Sequence, residues 1–207
     1  MTRPTDRNAA TDGPAPTTEL AGYEVVVGVC GGIAGYKVAA LVSQLVQGGA
    51  GVAVAMTRAA RRFVTPLTFE ALSGRPVFTS LWRAGEVCEQ PHLKLTEACD
   101  VLIIAPATAN TIAKLAHGLA DDPVSTLALS ATSPILLAPA MNTRMWQSRI
   151  VQQNMQSLKD RGMIEVPPGE GWLACRTIGP GRMAEPQIIL SRAVEILKRS
   201  APSNVTQ

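Results

Sequence analysis

EVVVGVCGGIAGYKVAALVSQLVQGGAGVAVAM, residues 24 to 56, sets two short apolar runs on either side of a stretch with a different periodicity. EVVVGVC (24 to 30) and GVAVAM (51 to 56) are apolar on consecutive positions, as strands covered on both faces must be. Between them, Ile33 to Gln47 places Val38, Leu41, Val42 and Leu45 on one helical face, and Gly48-Gly49 stops the helix. Strand, glycine-rich turn, helix and strand in that order make one parallel βαβ unit.

The same alternation continues outward. VLIIAP (101 to 106), PILLAP (134 to 139) and MIEV (163 to 166) read as further buried strands. Helices are expected at Thr68 to Ser73, Asn110 to His117, Val124 to Ser130, Asn142 to Arg161 and Pro186 to Arg199. The pattern specifies an α/β fold: a single-domain, Rossmann-like or flavodoxin-like doubly wound parallel sheet with helices on both faces. In such a sheet ligands bind beyond the carboxyl ends of the strands, so the loops after Cys30, Met56, Pro106 and Pro139 are where chemistry is to be sought.

Composition narrows the function. The 207 residues, 46% hydrophobic and 17% charged, suit one domain with a substantial core. A net charge of +3 from scattered residues does not suggest a nucleic-acid partner. Cys30, Cys88, Cys99 and Cys175 form no CxxC pair and have only His92 and His117 beside them, so no metal site is expected. Residues 1 to 21 read as a disordered leader and 201 to 207 as a disordered tail, with 22 to 200 as the domain. The N-terminus lacks an apolar core of signal-peptide length, so the protein is expected to stay in the cytoplasm. Pro123 to Thr143 carries no charge, but Pro123, Pro134 and Pro139 with Ser125, Thr126, Ser130, Thr132 and Ser133 argue for a helix and a buried strand rather than a membrane span.

Each loop supports two readings. GVCGGIAGYK (28 to 37) lets the backbone approach an anionic ligand at a helix start, or is a plain tight turn; GxGxxG is not met, because Cys30 takes the first glycine position. MTRAARRFVTP (56 to 66) offers Thr57, Thr65 and three arginines to a phosphate, or a helix cap with a solvated basic face. PATANT (106 to 111) can hydrogen-bond an aromatic ring edge or a phosphate, with more such groups than one cap requires, or is a capping box. In PAMNTRMW (139 to 146) Asn142 grips a carboxylate or merely caps a helix while Met145 and Trp146 pack in the core. GEGWLACRTIGPGRMAEP (169 to 186) has the length and Gly/Pro punctuation of a functional lid, in which Cys175 is either reactive or inert. His92, ahead of the strand 101 to 106, is a proton-transfer candidate or a structural histidine.

Taken together, PATANT, PAMNTRMW, a preceding histidine and ACxxxGxGRMxEP, in that order from about Tyr23 to Arg199, resemble the homo-oligomeric flavin-containing cysteine decarboxylases. The resemblance implies FMN as cofactor, with contacts on Gly31, Gly32, Ile33, Thr57, Thr65, Thr108, Ala109, Asn110 and Thr111. It implies His92 as the base during substrate oxidation and Cys175 as the flap thiol that returns a proton to an enethiol. Asn142 is implied to hold the substrate carboxylate, with Met145, Arg182 and Met183 as further substrate contacts.

The branch most resembled decarboxylates 4′-phosphopantothenoylcysteine, a phosphorylated cysteine amide, to 4′-phosphopantetheine for coenzyme A, through a thioaldehyde that acts as the electron sink for CO2 loss. A homotrimer or dodecamer with sites between subunits is implied, as is a separate phosphopantothenate-cysteine ligase. The alternatives are a peptidyl-cysteine decarboxylase and a non-catalytic regulatory flavoprotein. Two positions depart from the family pattern: Cys30, where a small hydroxyl residue is usual, and Arg176, where glycine commonly follows the catalytic cysteine.

Overall fold

The computed structural model describes residues 18–82 and 91–202, apart from the side chains of Pro91 and His92. Five parallel strands, β1 (Glu24–Val29), β2 (Gly51–Met56), β3 (Val101–Ala107), β4 (Ile135–Pro139) and β5 (Ile164–Glu165), form one sheet in the order β2-β1-β3-β4-β5. The expected doubly wound fold is therefore present, with its reversal of strand order between β1 and β3. Alternate side chains of each strand enter opposite cores, which is why the strands read as unbroken apolar runs.

Val25, Val27 and Val29 pack with α1 (Gly35–Gln47), α2 (Pro66–Ser73) and α8 (Pro186–Leu197). Val26, Leu102 and Ile104 pack on the other face with α4 (Ala109–His117), α5 (Pro123–Ser130) and α7 (Arg149–Asp160). Leu41 and Leu136 in the first core and Leu137 in the second are fully buried. Truncating any one of them to alanine would cost about 2–5 kcal/mol. Helix α3 (Pro91–Glu97) leads into β3. The uncharged stretch from Pro123 divides into α5, whose capping box rests on Asp122 and Ser125, and the buried strand β4. Among the described residues no helix is long and apolar enough to cross a membrane.

Two expectations are corrected and the lid takes a definite form. The leader is expected to run to residue 21, yet Leu20 is 2% exposed and its N–H donates to Gly48 O at 2.8 Å, while Glu19 pairs with Lys198. The folded region thus extends back to include Glu19 and Leu20. The single helix expected from Asn142 to Arg161 is two, α6 (Thr143–Trp146) and α7, because Ser148 is extended (ψ 129°); Gln152 Nε2 donates to Trp146 O at 2.6 Å across the break. The lid is an antiparallel hairpin of β6 (Gly169–Trp172) and β7 (Ile178–Arg182), whose glycines and proline disguise the strand period in sequence.

Candidate functional site

The loops after β1, β2, β3 and β4 meet at one edge of the sheet. At Gly31 an added Cβ would lie 2.3 Å from the Ala59 Cβ, so the loop after β1 presses against the loop after β2 and only glycine fits. Helix α1 starts at Ala34 without a side-chain cap or an acidic residue in its first turn. The N–H groups of Ile33 and Ala34 have no hydrogen-bond acceptor among the described residues, which leaves positive helix-end dipole for an anion.

The threonines serve as caps while facing the same edge. Thr57 Oγ1 accepts from Ala60 N at 3.2 Å, and Thr108 Oγ1 accepts from Thr111 N at 3.3 Å and lies 3.1 Å from Thr111 Oγ1. Capping and ligand binding are thus compatible, because each hydroxyl has a further donor or lone pair. Cys30 sits below them rather than beside a ligand: it is 1% exposed. Burial pushes its thiol up from 9.0 to about 12, against hydrogen bonds to the Thr111 side chain and the Thr108 backbone. Nearby, Lys114 Nζ is held by Asp121 Oδ1 at 2.5 Å and Asp122 Oδ2 at 2.7 Å, and this ammonium holds the Asp121 carboxyl below its ordinary value.

Asn142 caps α6 through Oδ1, which accepts from Met145 N at 2.9 Å. With the oxygen so occupied, the two Nδ2 protons remain as donors, so capping does not rule out gripping a carboxylate. Over it lies the β6–β7 hairpin. Cys175 is exposed in its connecting turn, with Sγ 3.1 Å from Thr177 Oγ1, and the turn is closed by Leu173 N to Thr177 O and Arg176 N to Leu173 O, both 2.9 Å. Arg176 has φ +62°, the left-handed region that glycine occupies freely, so arginine carries a strain here that glycine would not. At the hairpin base Glu185 accepts from Lys37 Nζ at 2.9 and 3.0 Å and pairs with Arg182 at 2.9 Å; Lys37, chiefly, holds the Glu185 carboxyl below its usual value.

These groups line a cleft of about 680 Å3 that brings together Gly31, Gly32, Ile33, Thr108, Ala109, Asn110, Asn142, Met145, Cys175, Arg182 and Met183. A second cleft of about 450 Å3 shares Gly31, Thr108 and Asn110 and adds Thr57 and Thr111. Thr65 lines neither: it is the exposed N-cap of α2, directed away by the turn through Ala60–Arg62. His92 stands in the first turn of α3; its side chain, like all of Cys88, lies outside the described residues. Sequence reasoning passed over Lys37, Trp172 and Lys114 as lining residues. Lys114 was within reach of periodicity, since it follows Asn110 and Thr111 by about one helical turn.

A curated relative, the coenzyme A biosynthesis bifunctional protein CoaBC of Vibrio cholerae, is 44% identical over 172 residues, covering 83% of this chain and 43% of that protein. The chain thus spans less than half the length of that relative. Among solved structures, the FMN-dependent cysteine decarboxylase SpaF is 33% identical with a TM-score of 0.74, over 86% of this chain and 97% of SpaF. A PPC decarboxylase cysteine-to-serine mutant complexed with pantothenoylaminoethenethiol is 30% identical with a TM-score of 0.77, over 86% of this chain and 99% of that one. Residues 14–198 match the Flavoprotein family model, and with this fold and this glycine-lined edge the chain belongs to the Flavoprotein family.

Proposed function

We propose that the chain binds FMN at the carboxyl edge of its sheet and decarboxylates 4′-phosphopantothenoylcysteine to 4′-phosphopantetheine, a step towards coenzyme A. The observation that carries this reading is the convergence of a thiol, Cys175, and a carboxamide, Asn142, on one cleft floored by the glycine loop of α1. The names of the similar proteins, a coenzyme A biosynthesis protein, an FMN-dependent cysteine decarboxylase and a PPC decarboxylase, support the same chemistry.

The residues present fit FMN. Free N–H groups at Ile33 and Ala34 suit its phosphate, and Thr57, Thr108, Ala109, Asn110 and Thr111 offer hydrogen bonds along the adjoining walls. Gly31 and Gly32 present backbone without side chains at the same place. When bound, FMN supplies a two-electron oxidant for the substrate's CH2–SH and the matching reductant at the end, so that net redox change is zero. Asn142 Nδ2 holds the carboxylate that departs as CO2. His92 is the base for the substrate, and Cys175 donates its Sγ proton to the carbon that has lost CO2. Apolar Met145, Trp172 and Met183 exclude water from the intermediate.

Further copies of the chain complete the cleft in this reading, as a homotrimer or dodecamer. Ile33 and Tyr36 at the mouth are exposed, and Phe63 and Leu67 (71% exposed) lie on the neighbouring segment, since Val64 approaches Gly35. Such a contiguous apolar surface beside a ligand site is characteristic of an interface. The substrate would come from a phosphopantothenate-cysteine ligase.

The test is the visible spectrum of the purified protein together with CO2 release from 4′-phosphopantothenoylcysteine by wild type and Cys175→Ser. A yellow protein that releases CO2, with the mutant stopping at an enethiol, is expected. A colourless protein refutes the FMN assignment. A yellow one that acts only on peptides ending in cysteine, or on neither, refutes the substrate.

A further inference from the structure

Besides the Glu185 cluster, β7 of the hairpin is bonded to the segment that carries Asn142. Thr143 Oγ1 donates to Pro180 O at 2.9 Å, across 37 residues of sequence, and Met141 N donates to Gly181 O at 2.9 Å. These two bonds flank Asn142. The contact is as close as backbone allows. An added Cβ at Gly179 would stand 2.5 Å from Thr143 Oγ1, and one at Gly181 (φ +120°) would stand 2.4 Å from Met141 O. By contrast, Gly169, Glu170 and Trp172 of β6 are exposed. The hairpin is thus bonded to the segment around Asn142 along β7, while Leu173 at the end of β6 is buried and Cys175 is exposed in the turn beyond it.

We infer that Thr143 is a positioning residue: its bond to Pro180 O sets the register of the hairpin over Asn142, and thereby the place of Cys175 above the bound substrate. The inference rests on the proposed decarboxylation, in which Asn142 holds one end of the reacting unit and Cys175 protonates the other. From Pro180 the path to the thiol is short and stiff. It runs through Ile178, paired with Trp172, and Thr177, whose carbonyl closes the turn and whose hydroxyl meets Cys175 Sγ. Three residue steps, about 10 Å, lead from Pro180 to Thr177, so slack at the pin is carried to the tip. A misplacement of about 1 Å at a reacting group costs on the order of 100-fold. CO2 departs before Cys175 acts, so only the later step depends on the pin.

Thr143→Ala and Thr143→Ser differ by the hydroxyl alone and separate the pin from simple folding defects. Two measurements are made on the full chain with its cofactor. The first is hydrogen exchange over residues 170–182, which needs no turnover. The second is the ratio of enethiol to 4′-phosphopantetheine formed from 4′-phosphopantothenoylcysteine. Thr143→Ala is expected to exchange about five- to tenfold faster, the loss of one net hydrogen bond, and to raise the enethiol share at least tenfold while still releasing CO2. Thr143→Ser is expected to match wild type in both. Unchanged exchange in Thr143→Ala overturns the pin, whatever the activity. Faster exchange with an unchanged product ratio overturns the positioning role, as does failure of Thr143→Ser to restore the ratio. Absence of CO2 from wild type refutes the proposed function separately, and exchange still decides whether the pin exists.

Discussion

Replacing Cys30 by serine tests the buried floor of the site through its response to alkali. The folded thiol is pushed from 9.0 to about 12, chiefly by burial. Above the ordinary value the unfolded chain loses this proton while the folded chain keeps it, so stability is full below pH 9 and declines as pH rises towards the folded value. Between pH 8 and pH 10 the loss from this one group is about 1.4 kcal/mol, from 1.36 kcal/mol per unit of pKa. In a chain of this size that is a fall of about 3–6 °C in thermal midpoint. Serine has no titration in this range and retains a hydroxyl for the Thr111 and Thr108 partners. Cys99, also raised by burial, is common to both proteins and cancels. Scanning calorimetry of wild type and Cys30→Ser at pH 8, 9 and 10 should show the mutant declining less steeply by that amount. Parallel curves would refute the reasoning, for they would mean that Cys30 is solvated in the folded protein.

Three further outcomes are expected. Asn142→Asp keeps the oxygen that caps α6 but replaces the Nδ2 donors with a second carboxylate, so folding by circular dichroism should be unchanged and substrate KM should rise at least tenfold. A KM equal to wild type removes Asn142 from substrate binding. Arg176→Gly relieves about 1–2 kcal/mol of left-handed strain and loses about 0.5–1 kcal/mol to glycine's backbone freedom. Exchange at the Leu173 and Arg176 amides should therefore slow slightly, and faster exchange would show that the arginine side chain holds the turn. Glu185→Gln frees Lys37 and Arg182; because the carboxyl is held below its ordinary 4.5, the stability it adds is present above that value and lost as pH falls through the lower folded one. The gap in midpoint between wild type and this variant should shrink on acidification below about pH 4.5, and a constant gap from pH 7 to pH 3 contradicts the pairing.

The site was partly legible for a physical reason that can be followed residue by residue. Gly31, Thr108 and Asn142 lie at the ends of β1, β3 and β4. Once the strands are known, the rule that parallel sheets bind ligands at their carboxyl edge brings the three together. Thr65 shares a loop with Thr57, but the Ala60–Arg62 turn lies between them and Thr65 occupies the N-cap position of α2, outside both clefts. Lys37 and Glu185, 148 residues apart, could not be matched by spacing, since their meeting depends on α1 and α8 lying together on one face.

By itself the sequence determined what repeats locally. Apolar runs of strand length with helical stretches between them leave a twice-covered parallel sheet as the only way to bury both sides, and the glycine loop follows as the turn that such a unit needs. The tertiary structure decided what depends on contacts between distant segments. It turned the Gly- and Pro-rich stretch after β5 into a hairpin, because glycines at 179 and 181 let β7 press on Met141 and Thr143 more closely than any side chain would permit. It placed Cys30 beneath the site instead of within it, and made Asn142 a cap and a donor together. Those outcomes rest on distances of a few ångströms across the fold, which no periodicity along the chain encodes.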